Sequence, residues 1–148
     1  MRKRSKSREF AVQILYQMDI THDAEETACA NFWESQETVV EEEVKIFTQE
    51  LVKGTCDSLG PIDTKISECA NNWQLKRMAV VDRNILRLGC YELLFRRDIP
   101  PKVSINEAVE LAKKYSGLDA GKFVNGILDK IKSARKGESG SSASKEVL

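Results

Sequence analysis

One stretch, residues 78–95 (MAVVDRNILRLGCYELLF), constrains the fold more than any other part of the chain. Its apolar residues are too numerous for one side of a surface helix, and a helix that is apolar around most of its circumference is buried against several neighbours. Charged residues interrupt the run, so it lacks the roughly 20 mostly apolar residues of a membrane span. Gly89 costs about 1 kcal/mol relative to alanine in a helix interior, which predicts another helix passing close over it. We interpret the stretch as the central helix of an all-α protein.

The polar residues of this central helix are expected to fall into two groups. Arg83 and Arg87 are four residues apart and therefore lie on one face of the helix. We expect this face to reach solvent or an internal acid. Asp82 lies among apolar neighbours, where a buried acid without a partner is costly. Asp82 must therefore either pair with a residue of another helix or point outward.

Helical periodicity recurs along the rest of the chain and predicts an all-α fold of about seven helices. The six other segments are approximately residues 7–20, 24–35, 39–58, 62–73, 104–116 and 119–135. No segment reads as a credible strand. The length of 148 residues predicts a single domain, residues 1–135, and a break at Gly60-Pro61 predicts that it consists of two packed helical subdomains, about 1–60 and 61–135.

Local signals predict where the later helices begin and end. Ser104 and Glu107 match the capping box, in which each side chain satisfies a free backbone N–H at a helix start. Gly117 is a typical residue just beyond a helix C-terminus. In the last helix we assign Asn125 to the fold, as a buried amide that ties two helices together. Residues 136–148 show no periodicity and are expected to form a disordered tail.

Charge is unevenly distributed along the chain. The formal net charge is zero, but residues 2–8 (RKRSKSR) contain five basic residues and no acid, so the remainder carries about −5. A basic arm on an acidic body favours a polyanionic partner. The alternative is a solubilising terminus or a targeting tag.

Neither a metal site nor an export signal is indicated. The four cysteines, at positions 29, 56, 69 and 90, form no CxxC pair, and His22 is the one histidine. This spacing does not match a zinc site, and we expect free thiols in a reducing cytosol, with no cofactor. No apolar segment follows the basic start, so a cytoplasmic protein without a membrane segment is expected.

No enzyme site emerges from the sequence. A single histidine offers few partners for a catalytic triad. Residues 117–122 (GLDAGK) resemble a phosphate-binding loop, but the segment is one residue short and Phe123 replaces the required Ser or Thr. We therefore expect no catalytic activity.

Nucleic-acid binding agrees better with the residues. The arm's basic side chains can neutralise phosphates, and Tyr16 follows on the same helix, about 200° around from Ile14. Aromatic rings beside basic residues suit stacking of unpaired bases, worth about 1–3 kcal/mol per base. Tyr16 is either such a stacking ring or a half-buried packing ring.

Three segments carry a resemblance to a known family. They are REFAVQILYQMD near the start, ILRLGCYELLFRRDIPPKVSINEAVELAKKY in the middle and GKFVNGILDKI after it. Together they resemble the NusB family of bacterial transcription antitermination factors, over about residues 4–132. The resemblance implies an all-helical protein of two subdomains that binds boxA, a short single-stranded leader RNA, together with ribosomal protein NusE. It also implies a role in the RNA polymerase antitermination complex, promoting read-through in ribosomal RNA operons.

The resemblance also implies site residues. For RNA, the matching positions are those expected to contact phosphates (Arg4, Lys6 and Arg8), to stack on bases (Tyr16 and Tyr115) and to accept hydrogen bonds from bases (Asp119). For NusE, the matching position is Asp82 on the central helix. Ser5 and Ser7 depart from the family pattern, in which this segment is often richer in arginine.

Two other functions remain open at this point. One is a protein-only helical adaptor whose basic arm is incidental. The other is the NusB-like RNA-binding domain found at the start of certain ribosomal RNA methyltransferases. The absence of a dinucleotide-type βαβ segment in residues 1–148 weighs against the methyltransferase.

Overall fold

The protein is built from helices. The computed structural model describes the backbone of residues 2–71 and 73–146, and the side chains of residues 2–71 and 73–135. Within those ranges it contains seven α-helices, a 3₁₀ turn at Leu75–Arg77 and no strand. The helices are α1 (Lys3–Thr21), α2 (Glu25–Glu34), α3 (Glu42–Asp57), α4 (Leu59–Cys69), α5 (Val80–Phe95), α6 (Pro101–Ser116) and α7 (Leu118–Glu146). The predicted all-α fold is confirmed.

Helix α5 is the centre of the packing, as its sequence predicts. It contacts α1, α3, α4, α6 and α7, and Ile85, Leu86 and Leu93 on it are fully buried. At Gly89, an added Cβ would lie 2.8 Å from Cδ1 of Leu128 on α7. A Cβ at this position would displace the buried Leu128 side chain, so the glycine allows α7 to cross α5 at close range.

The polar stripe of α5 reaches internal acids. Arg83 donates two hydrogen bonds to Asp19 of α1, at 2.6 and 2.8 Å. Arg87 donates to Asp63 of α4 at 2.9 and 3.0 Å and to Asp19 at 3.0 Å. Burial alone would raise the pKa of Asp19, but the bonds from Arg83 and Asn84 and the charge of Arg87 outweigh it and hold that pKa below its usual value. This cluster joins α1, α4 and α5.

The other helices form two groups around α5. Helices α1, α2 and α3 contact one another, and α6 packs along α7. The boundary between α3 and α4 falls at Ser58, close to the break at Gly60. One continuous apolar core runs through both groups, so the division into subdomains 1–60 and 61–135 remains a proposal.

The start of α6 corrects one prediction. The helix begins at Pro101, whose fixed φ suits a first helical position, three residues before the predicted cap. Ser104 therefore lies inside the helix and donates a 2.7 Å hydrogen bond to the buried carboxylate of Glu92. The capping box with Glu107 is not formed. The predicted end is confirmed: Gly117 follows the last residue of α6 with φ of 105°.

Helix α7 differs from expectation in two places. Asn125 is exposed, not buried, because the inward face of α7 carries Val124, Leu128 and Ile131. The helical backbone also continues to Glu146, where the sequence predicts a disordered tail over residues 136–148. A helix satisfies its backbone hydrogen bonds within the segment, so an established helix can extend without a packing partner. Residues 147 and 148, and side chains beyond Arg135, lie outside the described part.

Among the described residues, no helix combines the length and the apolar composition that crossing a membrane requires.

Candidate nucleic-acid interface

The basic arm is part of α1 rather than a separate extension. The helix begins at Lys3, whereas the sequence predicts its start near residue 7. Because a helix turns about 100° per residue, the arm's side chains are distributed around its circumference. Lys6 and Arg4 are exposed, while Ser7 and Arg8 are buried. The arm therefore presents some of its basic residues to solvent and uses others in packing.

One face of α1 carries four polar side chains at helical spacing. They are Lys6, Glu9, Gln13 and Tyr16, three or four residues apart. The Tyr16 side chain is 39% exposed, which agrees with the expectation of a partly exposed ring. Glu9 lies in the middle of this face and is only 5% exposed. Its position is explained by what it binds on α6.

Tyr115, near the end of α6, docks onto this face of α1. Its hydroxyl donates to Oε2 of Glu9 and accepts a 2.9 Å hydrogen bond from Nε2 of Gln13. The neighbouring Lys114 donates to the same Glu9 oxygen at 2.6 Å. Tyr115 remains 40% exposed. The structure thus brings Lys6, Tyr16 and Tyr115 together as one surface, which we call the α1–α6 face.

Protonation states on this face follow from its contacts. Burial alone would raise the pKa of Glu9, but the hydrogen bonds from Lys114 and Tyr115 outweigh it and hold that pKa below its usual value. Burial raises the pKa of Tyr115, and its bond to the Glu9 carboxylate raises it further. Near neutral pH, Glu9 is therefore ionised and Tyr115 keeps the proton that it donates.

Arg4 lies on a different side of α1 from Lys6. Its guanidinium stands 4.2 Å from the centre of the Phe47 ring on α3, a cation–π contact. The ammonium of Lys6 lies 4.9 Å from the Phe10 ring. Lys3 bonds to Glu41 and Glu43 at 3.1 and 3.0 Å. Exposed Arg4 and Lys6 are thus available to phosphates, but they do not share one face.

Arg8 corrects the expectation drawn from the sequence. It is 3% exposed, and its guanidinium forms a double hydrogen bond with Glu92 of α5, from Nε at 2.8 Å and from Nη2 at 2.9 Å. A third bond, from Nη1, reaches Glu107 of α6 at 3.2 Å. Because the guanidinium is buried and occupied, Arg8 is not placed to contact a phosphate.

Sequence reasoning missed three contributors to the face and its support: Glu9, Lys114 and Glu92. A usable signal existed for Glu92. It is the one charged residue in the segment 88–95 (LGCYELLF), and a buried carboxylate needs a paired cation. No comparable signal marks Glu9, because the residues that it binds lie more than 100 positions away in the chain.

The two remaining predicted residues lie near the end of α6. Asp82 is half-buried and accepts a 2.7 Å hydrogen bond from the hydroxyl of Ser116. Asp82 therefore points to the surface, beside the residue that follows Tyr115. Asp119 is exposed in the first turn of α7. Both carboxylates are accessible at the same end of the helix pair α6–α7.

The described part of the chain contains no group of three or more His, Cys, Asp or Glu side chains arranged to hold a metal ion. Burial raises the pKa of the Cys90 thiol to about 12 and, with a smaller effect of nearby charges, the pKa of Cys29 and Cys56 to about 11. Thiols with such pKa values are poor nucleophiles and poor metal ligands at neutral pH.

Comparisons with known proteins agree with this architecture. Transcription antitermination protein NusB of Anaeromyxobacter dehalogenans is 47% identical over 140 residues, covering 92% of this chain and 97% of that protein. The solved structure of T. maritima NusB matches with a TM-score of 0.78 at 38% identity, over 88% of this chain and 90% of that one. A chain in the crystal structure of antitermination factors NusB and NusE in complex with dsRNA matches with a TM-score of 0.82 at 30% identity, over 90% of this chain and 98% of that one.

The model of the NusB family matches residues 5–133, which include α1 from its third residue onward, the central helix α5 and the Tyr115 region of α6. The relative and the two solved structures named above each cover 88–92% of the chain. The chain belongs to the NusB family.

Proposed function

We propose that this protein is a transcription antitermination factor. It binds boxA-type single-stranded leader RNA together with ribosomal protein NusE, and it promotes read-through in ribosomal RNA operons as part of the RNA polymerase antitermination complex. The curated relatives carry the antitermination function in their names, and one structural neighbour is a NusB–NusE complex with dsRNA. We further propose that the protein acts in the cytoplasm and has no catalytic activity of its own.

The observation that carries the proposal is the α1–α6 face. Two half-exposed tyrosines, Tyr16 and Tyr115, lie with Lys6 on a surface built from elements that are about 100 residues apart in sequence. Stacking of an unpaired base on such a ring contributes about 1–3 kcal/mol. An ammonium beside the rings can contact the phosphates between stacked bases. This combination suits a flexible single strand better than a base-paired duplex.

Other predicted residues keep or change their roles. We propose that Arg4 contacts a phosphate from the α3 side of α1, and that Asp119 accepts hydrogen bonds from base N–H groups. Asp82 faces NusE. Arg8 is withdrawn from the RNA contacts, since its guanidinium is buried against Glu92; it holds the arm in place instead.

The test is binding of fluorescent boxA RNA, measured with and without NusE. Comparators are a scrambled RNA of the same length and a duplex of boxA with its complement. We expect the single strand to bind most tightly and NusE to strengthen its binding. Equal binding of all three RNAs, unaffected by NusE, would instead favour a protein-only adaptor with an incidental basic arm.

A further inference from the structure

The α1–α6 face contains a buried acid that the proposed function does not explain. Glu9 is 5% exposed and ionised near neutral pH. It nevertheless lies between Lys6 and Tyr16 on the surface that we propose binds RNA, which is a polyanion. By Coulomb's law alone, a carboxylate there weakens RNA binding. The ammonium of Lys114 offsets part of this charge, but the proposed function still assigns no role to a buried acid at the centre of the face.

The contacts of Glu9 indicate that task. One carboxylate oxygen, Oε2, accepts hydrogen bonds from the Tyr115 hydroxyl and from the Lys114 ammonium. Gln13, one turn along α1 from Glu9, donates to the same hydroxyl. The Tyr115 hydroxyl therefore has both a donor and an acceptor partner within the protein. What Tyr115 offers to a ligand is its ring, not its hydroxyl.

We infer that Glu9 is a positioning residue for RNA, which fixes the Tyr115 ring from α1 so that the ring is ready to stack on a base. This inference rests on the proposed function. An exposed aromatic side chain loses rotational freedom when a ligand orders it, and a ring held beforehand avoids that loss. Because the hydroxyl is occupied, Tyr115 should stack on any base without reading hydrogen-bonding groups.

Glu9 could also affect RNA affinity by holding Lys114, and salt dependence separates this explanation from an effect on the Tyr115 ring. If Glu9 mattered by holding Lys114 for a phosphate, its loss would remove a phosphate contact and flatten the salt dependence by about 0.7 in the log–log slope. If Glu9 acts through the Tyr115 ring, affinity falls and the slope stays the same. Stacking involves no counterion release, whereas a phosphate contact does.

The experiment is a double-mutant cycle on the full chain with boxA RNA. The four proteins are the wild type, Glu9→Gln, Tyr115→Phe and the double variant. Tyr115→Phe keeps the stacking ring and removes only its hydroxyl. Glu110→Gln is the matched control, because Glu110 lies on α6 and pairs with Lys113 at 3.5 Å, so this change removes a charge of the same sign without touching the ring. Thermal melting of each protein accompanies the binding curves.

We expect Glu9→Gln and Tyr115→Phe each to weaken binding by about two- to tenfold with an unchanged salt slope. The double variant should bind no worse than the weaker-binding single variant, because Tyr115→Phe removes, and Glu9→Gln weakens, the same hydrogen bond. Glu110→Gln should bind as well as wild type or slightly better. The direction of the change in affinity therefore distinguishes Glu9, whose loss weakens binding, from Glu110, whose loss does not.

Three results would overturn the inference: tighter or unchanged binding by Glu9→Gln, fully additive losses in the cycle, or a flatter salt slope. If a low melting temperature showed Glu9→Gln to be unfolded, Tyr115→Phe, which leaves Glu9 paired with Lys114, would decide the matter on its own. Its binding at wild-type strength would also contradict the inference. If no variant or wild-type protein bound boxA RNA at all, the proposed function would fail first, independently of Glu9.

Discussion

Arg8 and Glu92 form a buried, doubly hydrogen-bonded ion pair that joins α1 to the central helix α5. The Arg8 and Glu92 side chains are 3% and 1% exposed, and Ser104 of α6 donates to the same carboxylate at 2.7 Å. The pair is therefore the point at which three helices meet. It sets the boundary between the part of the basic arm that serves packing and the part that faces solvent.

Losing Arg8 should destabilise the protein rather than only weaken RNA binding. Arg8→Met leaves Glu92 buried without its cation, which typically lowers the free energy of unfolding by about 3–5 kcal/mol. Urea denaturation measures this change. Arg4→Met is the control, because Arg4 is exposed and surface changes usually stay within about 0.5 kcal/mol. If Arg8→Met were as stable as Arg4→Met but defective in RNA binding, Arg8 would be a phosphate contact and not a structural residue.

This pair also explains why part of the site could not be predicted. Within RKRSKSR the basic residues are chemically alike, and only the position of Glu92, 84 residues later, selects Arg8 for burial. Long-range partners are not encoded in local spacing. By contrast, the close approach of α7 at Gly89 was predictable, because a glycine in a helix interior carries a cost that packing must explain.

Local rules failed where a stronger local rule competed. Ser104 and Glu107 have the spacing of a capping box, but Pro101 begins the helix earlier and places Ser104 in the interior. Tyr16 shows the opposite case, since its angular position on α1 correctly indicates partial exposure. The fold was therefore largely readable from periodicity, whereas the contacts between helices were not.

Lowering the pH should reduce the free energy of unfolding by protonating Asp19. Its pKa is held below the ordinary value of 3.8 by Arg83, Asn84 and Arg87 against the opposing effect of burial, so its contribution is fully present above about pH 4 to 5 and is lost as pH falls through the lower folded-state pKa. Urea denaturation between pH 7 and pH 3 measures the loss. Asp19→Asn should start from a lower free energy of unfolding and show a smaller decrease. Identical pH profiles for the two proteins would show that Asp19 is not the titrating group.

Asp82→Lys should abolish the enhancement of RNA binding by NusE. We expect the reversed charge to remove a pair at the protein–protein interface, which costs about 2–5 kcal/mol, mostly in dissociation rate. The melting temperature should stay nearly unchanged, because the Ser116–Asp82 bond is at the surface, and the NusE-free RNA affinity should not fall, because the change adds positive charge. Asp82→Asn is the control: it removes the charge but keeps an oxygen that can accept the hydrogen bond from Ser116, so it separates the effect of the charge from that of the hydrogen bond. If Asp82→Lys unfolds, the carboxylate is needed for the fold. If Asp82→Lys binds NusE normally, Asp82 is not part of the interface.

A chain that ends at Arg135 should keep its stability and its RNA affinity. Residues 136–148 have no apolar periodicity with which to bury a face against the core. We expect the melting temperature to change by less than about 2 °C, which corresponds to under about 1 kcal/mol for a chain of this size. A larger decrease, or weaker RNA binding, would show that the extension of α7 has a partner.

RNA binding by the α1–α6 face can be tested by a salt titration of boxA binding with two variants and two controls. Tyr115→Ala should cost about 1–3 kcal/mol with an unchanged slope, and Lys6→Gln should flatten the log–log slope by about 0.7. The controls are Phe95→Ala, which removes an exposed ring on α5, and Lys53→Gln, which removes an exposed lysine on α3; both should bind like wild type. Wild-type binding by Tyr115→Ala and Lys6→Gln, or equal losses in the controls, would show that the α1–α6 face is not the RNA-binding surface.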